Sequence, residues 1–210
     1  MTPRELYLIL FKRFGPQHWW PAETPFEVCV GAMLATNTSW SNAEKAIANL
    51  KKLKMLTVKA IAKADLKKLE NAVKPSGFYR QKARRLKDFA AYVLENYGSV
   101  ERMLSQPTGM LRRELLSLKG IGPETADSML LYAAGKPVFV VDAYTFRLAK
   151  RLRLTKAKTY DEMKAFFERE LPAKRFNEMH ALIVRLAKEN CRKKPRCEGC
   201  PVKGCRNAKL

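Results

Sequence analysis

Apolar side chains recur at three- and four-residue steps along most of this chain, and this pattern constrains the fold more than any other feature. On an α-helix such spacing collects the apolar residues on one face, which packs against neighbouring elements. The stretches that show it are 4–14, 25–35, 41–52, 65–73, 80–96, 111–117, 124–134, 144–152, 160–171 and 175–190. We therefore predict an all-α fold built from many short helices.

Short breaks that contain Gly, Pro or a helix-capping residue separate these stretches, as at Gly15-Pro16 and Gly135-Lys136-Pro137. Such residues end one helix and begin the next. Only the run 138–141 is typical of a strand, and it is so short that it also fits a buried extended segment. The chain has 210 residues, enough for one large domain or two smaller lobes.

The charge balance favours a polyanionic partner. Forty-one Lys and Arg stand against twenty Asp and Glu, which gives a formal charge of +21. A Lys-rich surface of a heat-loving organism is the alternative, but such surfaces usually carry matching Glu. We therefore expect nucleic acid as the partner. No apolar run approaches the roughly 18 residues that span a bilayer, and the N-terminus reads as an amphipathic helix rather than a signal peptide, so we expect a soluble intracellular protein.

A tight turn between two helical stretches is the first candidate for binding. In the run 118–123, Gly120 and Gly122 allow a reversal through backbone conformations that other residues resist. Ile121 can fill the gap between the helices, and Pro123 suits the first turn of the second one. Free backbone N–H groups at such a turn bind phosphate without reading sequence. An ordinary corner between two helices is the alternative.

Asp142 follows the extended run and stands where the helix 143–152 begins. As an N-cap it would be held by backbone N–H groups, and the helix terminus would favour its charged form. Taken alone, the residue could be a cap and nothing more. The hairpin, the Gly/Pro segment 135–137 and this aspartate together resemble the signature of the endonuclease III superfamily of DNA glycosylases.

The resemblance implies a mechanism. Breaking the bond between base and deoxyribose builds positive charge on the sugar, and a fixed carboxylate at Asp142 would stabilise that charge and orient water. Bifunctional members carry a Lys two residues after the second glycine, where this chain has Glu124. A carboxylate cannot form a Schiff base, so we predict base excision without efficient strand cleavage. Lys119, which replaces the family's common Pro, is the less favoured substitute nucleophile, and Glu124 could simply suit a first helical turn.

Three segments, 18–21, 34–40 and 120–127, are similar to the 3-methyladenine DNA glycosylase III branch. That likeness implies a base pocket, and purines alkylated at N3 or N7 are cations that indole faces attract. Gln is typical of the branch where this chain has Thr36, which puts the exact substrate in doubt. Trp19 and Trp20 could instead anchor the N-terminal arm. The predicted pocket residues are Trp19, Trp20, Pro21, Trp40 and Glu124.

The superfamily also places side chains in the gap that an extruded base leaves. Phe78 and Asn37 match these positions, and an apolar ring can replace the extruded base in the stack. Either could be a plain loop or core residue. The predicted DNA-binding residues are Lys119, Gly120, Ile121, Gly122, Asn37 and Phe78.

Four of the five cysteines crowd into a basic C-terminal segment, whereas Cys29 lies in an apolar helical stretch and is expected in the core. Clustered thiols in an intracellular chain are typical of a metal site. The superfamily binds a [4Fe–4S] cluster through a similar pattern whose outer spacings are one residue longer. A zinc site is the alternative, and the Lys and Arg of the loop would meet phosphate. The predicted ligands are Cys191, Cys197, Cys200 and Cys205.

We thus expect two helical lobes with an active-site cleft between them. Residues 22–134 would form a central barrel with the helix-hairpin-helix, and residues 1–21 with 135–210 a second lobe with the metal loop 191–205. The predicted protein is a monomeric, monofunctional glycosylase of the cytoplasm or nucleoid that removes an alkylated purine such as 3-methyladenine from double-stranded DNA. The alternatives are a mismatch, uracil, adenine or oxidised-base glycosylase, a non-catalytic DNA-binding protein, or a metal-cluster electron carrier.

Overall fold

The computed structural model describes residues 1–205, and these residues contain helices but no strand, which confirms the all-α prediction. Residues 206–210 of the predicted second lobe lie outside the described part. The α-helices are α1 Pro3–Phe14, α2 Pro25–Leu34, α3 Trp40–Lys52, α4 Val58–Ala62, α5 Leu66–Val73, α6 Tyr79–Tyr97, α7 Val100–Leu104, α8 Thr108–Ser117, α9 Pro123–Ser128, α10 Ala143–Leu152, α11 Tyr160–Glu170 and α12 Phe176–Glu189. Two 3₁₀ turns span Lys74–Ser76 and Ala173–Arg175, and a π-helical turn spans Met129–Ala133.

The chain forms two compact units, one of which is Ala22–Lys136. Helix α2 is the centre of this unit, since every residue from Phe26 to Leu34 is buried. It packs against α3, α6, α7, α9 and the π-helical turn. Cys29 is fully buried in this helix, as predicted.

The other unit comprises Met1–Pro21 and, among the described residues, the chain from Pro137 to Cys205. Its core holds the extended run 138–141, whose side chains are all at most 4% exposed. Phe139 stacks on Phe167 with ring centroids 4.5 Å apart. The Phe139 N–H donates to the Glu168 carboxylate at 2.8 Å, and the Val141 N–H donates to the Tyr160 hydroxyl at 3.4 Å. Side chains of α11 thus satisfy backbone groups that a partner strand would otherwise satisfy.

Three local elements differ from the sequence analysis. Helices α4 and α7 were not predicted, because five residues are too few to show a helical period. The stretch 124–134, predicted as one helix, is α9 followed by the π-helical turn.

None of the helices within residues 1–205 is both long and apolar enough to cross a bilayer.

Candidate active site and nucleic-acid interface

Asp142 is the N-cap of α10. Its Oδ1 accepts hydrogen bonds from the Thr145 N–H at 2.7 Å and the Thr145 hydroxyl at 2.9 Å. Thr145 is fully buried, and the apolar run just before Asp142 is buried as well. The backbone on both sides of the carboxylate is therefore held by packing, which fixes the side chain in one orientation.

The second carboxylate oxygen of Asp142 faces a histidine. Nε2 of His180, on α12, lies 3.6 Å from Oδ2, and the Asp142 side chain keeps 12% of its surface exposed. Burial alone would raise the pKa of Asp142, but His180 and the two bonds from Thr145 outweigh it and hold the pKa below its ordinary value. The carboxylate is thus charged at neutral pH, and part of it remains accessible.

Sequence analysis missed His180. The chain has only two histidines, and this one lies in a stretch predicted as helical, far from Asp142 along the chain. A histidine within an apolar helix face was the only available signal. It pointed to no partner, because only the packing of α12 against α10 brings the two residues together.

The tryptophan pair lies in the same unit as Asp142. Trp19 and Trp20 are half-buried with ring centroids 5.9 Å apart, whereas Pro21 is exposed. The Lys188 ammonium lies 5.1 Å from the Trp19 ring centroid. Because Lys188 and His180 both belong to α12, the partners of Trp19 and Asp142 lie about 12 Å apart along one helix axis, at a rise of about 1.5 Å per residue.

The predicted hairpin connects α8 and α9. Gly120 adopts φ +92°, a conformation that favours glycine, and a Cβ there would lie 2.3 Å from Cδ of Arg85, so the Arg85 side chain would also have to shift. Ile121 is 6% exposed and fills the interior of the turn, as predicted. Gly122 does not need the special backbone conformation predicted for it, because φ −96° is open to any residue and a Cβ there would meet nothing within 4 Å. Lys119 is exposed.

An ion pair with a buried carboxylate joins the two helices of the hairpin, α8 and α9. Arg112 on α8 donates to the two carboxylate oxygens of Asp127 on α9 at 2.7 and 3.2 Å, and Asp127 is fully buried. Such a two-pronged contact fixes orientation as well as distance. Sequence analysis missed this pair, which no local pattern signals.

Both residues predicted to enter the duplex have left-handed backbone conformations. Asn37 has φ +53° and Phe78 has φ +45°, and both side chains are exposed, Phe78 to 68%. Non-glycine residues rarely adopt this conformation, and it concentrates at functional positions. Of the predicted pocket residues in the same unit, Trp40 is the half-buried first residue of α3, and its indole N–H donates to Glu44. Glu124 is exposed in the first turn of α9.

The Ala22–Lys136 unit brings several of these elements together. Thr36, from the loop after α2, and Gly120, from the hairpin, line one small cavity with Met33, Lys82 and Arg85. The residues predicted in the other unit are Asp142, the Trp19-Trp20-Pro21 segment and the four-cysteine loop.

The C-terminal cysteines lie close enough to influence one another. Burial, followed by the charges of Cys191, Cys197 and Cys205, raises the pKa of Cys200. Arg151 joins the ends of the loop, since its guanidinium donates to Cys191 Sγ at 3.1 Å and its carbonyl accepts from Cys205 Sγ at 3.9 Å. No group of three or more His, Cys, Asp or Glu within residues 1–205 has the geometry of a metal site. The donor set itself, four thiols on one short loop, suits an iron–sulfur cluster or zinc.

A helix-hairpin-helix turn, a Gly/Pro segment and a charged aspartate at the next helix start define a class of DNA repair proteins. Residues 30–173 match the family model described as HhH-GPD superfamily base excision DNA repair protein. The chain belongs to this superfamily, and it is a DNA glycosylase of the endonuclease III and HhH-GPD family.

Individual relatives agree with this assignment. The chain is 49% identical, over 95% of its length and 93% of the relative's, to a DNA repair glycosylase of Methanocaldococcus jannaschii that is itself assigned only provisionally. It is 32% identical to endonuclease III of Thermotoga maritima, over 95% and 89% of the two chains. The structure of Helicobacter pylori 3-methyladenine DNA glycosylase bound to 1,N6-ethenoadenine matches with a TM-score of 0.81 at 32% identity, over 90% of this chain and 98% of that one.

Proposed function

We propose that this DNA glycosylase is monofunctional and hydrolyses the bond between an alkylated purine and deoxyribose in duplex DNA, acting as a monomer. The observation that carries the proposal is the pairing of a fixed, charged Asp142 with a glutamate at position 124. The first supplies what hydrolysis needs, and the second removes the amine that strand cleavage needs.

The role of Asp142 follows from the charge that develops during the reaction. As the base leaves, the deoxyribose becomes a cation, and a carboxylate already fixed in place stabilises it without reorganising. Thr145 holds one carboxylate oxygen, and the part of the Asp142 side chain that stays exposed leaves room for water. We infer that the same carboxylate orients or deprotonates the attacking water.

Glu124 supports the monofunctional assignment. Its side chain is exposed in the first turn of α9 and carries no amine. Lys119 is also exposed, but it belongs to the turn whose backbone we expect to bind phosphate. A lysine in contact with the DNA backbone is a poor choice for attack on the sugar carbon, so hydrolysis remains the favoured reaction.

The choice of an alkylated purine rests on the tryptophans and on the relative from H. pylori, which was crystallised with 1,N6-ethenoadenine. N3- and N7-alkylated purines are cationic and leave easily, so stacking on indole and one carboxylate can suffice. The Lys188 ammonium near the Trp19 ring competes for one such site, which makes Trp20 and Trp40 the stronger candidates for base contact. A mismatch, uracil or oxidised-base glycosylase is the alternative.

Gly122 supports a DNA contact at the hairpin. Nothing among residues 1–205 requires glycine there, since its φ is ordinary and a Cβ would meet open space. A bound phosphate would explain the glycine, because the absence of a side chain lets the phosphate approach the backbone N–H groups closely. We infer that the hairpin grips the DNA backbone while Asn37 and Phe78 enter the duplex.

For the four-cysteine loop we propose a [4Fe–4S] cluster with a structural role, and zinc is the alternative. Cys191, Cys197, Cys200 and Cys205 would be the ligands, and the Arg151 guanidinium would donate to the sulfur of the first. Iron and sulfide analysis of purified protein, together with its visible absorption, tests this. Protein that is colourless and contains only zinc would contradict the cluster.

One experiment tests the proposed reaction. The protein is incubated with duplexes that each carry one lesion, and strands are scored for abasic sites with and without alkali. We expect cleavage of alkylated-purine strands only after alkali, and no adduct when borohydride is added. Excision confined to uracil or oxidised bases would refute the substrate class, and efficient trapping by borohydride would refute monofunctionality.

A further inference from the structure

The first turn of α6 contains a lysine that is almost completely buried. Lys82 is 4% exposed, and its ammonium donates to the Leu34 carbonyl at 2.8 Å and to the Ser76 carbonyl at 2.7 Å. No carboxylate of residues 1–205 forms an ion pair with it. Burial lowers the pKa of Lys82 to about 8. A buried ammonium is costly to maintain even with two hydrogen bonds, so its presence at this position calls for a functional explanation.

Both carbonyls belong to the ends of helical elements. Leu34 is the last residue of α2, and Ser76 ends the 3₁₀ turn. Carbonyls at a helix end lack partners within the helix, and the negative end of the helix dipole favours a cation there. Lys82 therefore caps two elements at once.

The two loops that begin at these helix ends are the reason that the shared cap matters. Asn37 comes three residues after Leu34, and Phe78 comes two residues after Ser76. Each lies in the left-handed region of backbone space. A single ammonium thus ties together the starting points of two loops whose exposed tips are the proposed duplex-entering side chains.

We propose that Lys82 is a positioning residue that holds these two loops in one fixed arrangement, so that Asn37 and Phe78 enter the duplex together. The inference rests on the proposed function, because it assumes the duplex-entering roles of those two residues. It adds a residue that touches no DNA and acts through the two loops.

The same face of α6 extends this frame to the hairpin. Arg85 lies one turn after Lys82, and its side chain covers Gly120, with Cδ 2.3 Å from where a Cβ would lie. Both side chains line the small cavity shared with Thr36. The N-terminal half of α6 therefore contacts the starting points of the loops that bear Asn37 and Phe78 and also the hairpin turn at Gly120.

The test uses Lys82→Met, which keeps the length of the side chain and removes its donors. The control is Lys87→Met on the same helix, since Lys87 also donates to a backbone carbonyl, but to that of Ala64, which lies between α4 and α5 and belongs to neither loop. Both changes are made in full-length protein that also carries Asp142→Asn. The probe is a duplex with a stable abasic-site analogue opposite 2-aminopurine, whose fluorescence reports disturbed stacking, and thermal unfolding is recorded for every variant.

We expect Lys82→Met to bind this duplex with nearly unchanged affinity but with a smaller fluorescence change at saturation, because the equilibrium between inserted and non-inserted side chains in the complex shifts by about threefold or more, within the range of such couplings. Lys87→Met should match the parent. A general loss of stability would weaken both variants alike and would not separate amplitude from affinity. A parent-like amplitude in folded Lys82→Met overturns the proposal.

Two further outcomes are decisive. If Lys82→Met does not fold, Lys82→Gln, which keeps one amide donor, should show a smaller reduction in the same direction, and full amplitude in that variant refutes the proposal. If the parent's signal does not depend on Asn37 and Phe78 when each is changed to Ala, their proposed roles fail and the inference fails with them. A signal that depends on both residues but not on Lys82 refutes this inference alone.

Discussion

Replacing Asp142 by Asn separates the catalytic role of this side chain from its structural one. The aspartate caps α10 through two hydrogen bonds from Thr145, and the Oδ1 of an asparagine can accept both. Asn and Asp cap helices about equally well. The substitution therefore removes the charge and leaves most of the local structure in place.

The expected magnitudes differ between stability and catalysis. Loss of a charge at a helix N-terminus costs about 0.3–1 kcal/mol, which for a chain of this size lowers Tm by no more than about 4 °C. Loss of one preorganised electrostatic group costs about 10²–10³ in rate, or about 2.7–4 kcal/mol of transition-state stabilisation. Excision should thus fall at least about a hundredfold in a protein that unfolds almost normally.

The assay is single-turnover release of the base, measured beside thermal unfolding, with Asp142→Ala as the comparison. The alanine variant should be as inactive as the asparagine variant but less stable by about 1 kcal/mol, because it also loses the cap. Excision by Asp142→Asn at the wild-type rate would refute the mechanism. So would a loss of activity that only tracks the loss of folded protein.

Further predictions concern the amine, the hairpin and the pH dependence. Glu124→Lys should restore an amine where bifunctional relatives carry one, and borohydride should then trap a protein–DNA adduct that wild-type protein does not form; no adduct would contradict the role assigned to this position. Gly120→Ala should destabilise the fold by about 1–3 kcal/mol, since alanine would be forced into a positive φ and would contact the Arg85 side chain. Gly122→Ala should unfold like wild-type protein in denaturant titrations but bind duplex DNA more weakly. Unchanged affinity of Gly122→Ala would argue against a phosphate contact there. Because the pKa of Asp142 lies below its ordinary value, its ionisation contributes stability that is complete above the unfolded pKa of about 3.9 and is lost as pH falls through the folded pKa. His180→Ala should raise the pKa of Asp142 and so move the acid limb of the pH–rate profile to higher pH. An acid limb that does not move would exclude His180 as a cause of the lowered pKa.

The course of the fold could be predicted because helix formation is largely local. Amphipathic stretches such as 41–52 and 160–171 carry their period and caps within a dozen residues, and the structure places α3 and α11 there. Five-residue helices escaped because they are held by packing on α6 and α2 rather than by a pattern of their own. The sequence predicted that the run 138–141 is extended but left open whether it pairs with another strand. Side chains of α11 accept hydrogen bonds from its N–H groups instead, and only the packing of that helix shows this.

The candidate site divides in the same way. The sequence alone determined the family signature, the aspartate at a helix start, the absence of the nucleophilic lysine and the four-cysteine loop, because each depends on residue type at short spacing. Only the tertiary structure decided that His180 faces Asp142, that Arg112 binds Asp127 and that Lys82 joins two loops. Each of these contacts joins residues on different helices, and the distance between such residues is set by how the helices pack rather than by their separation along the chain.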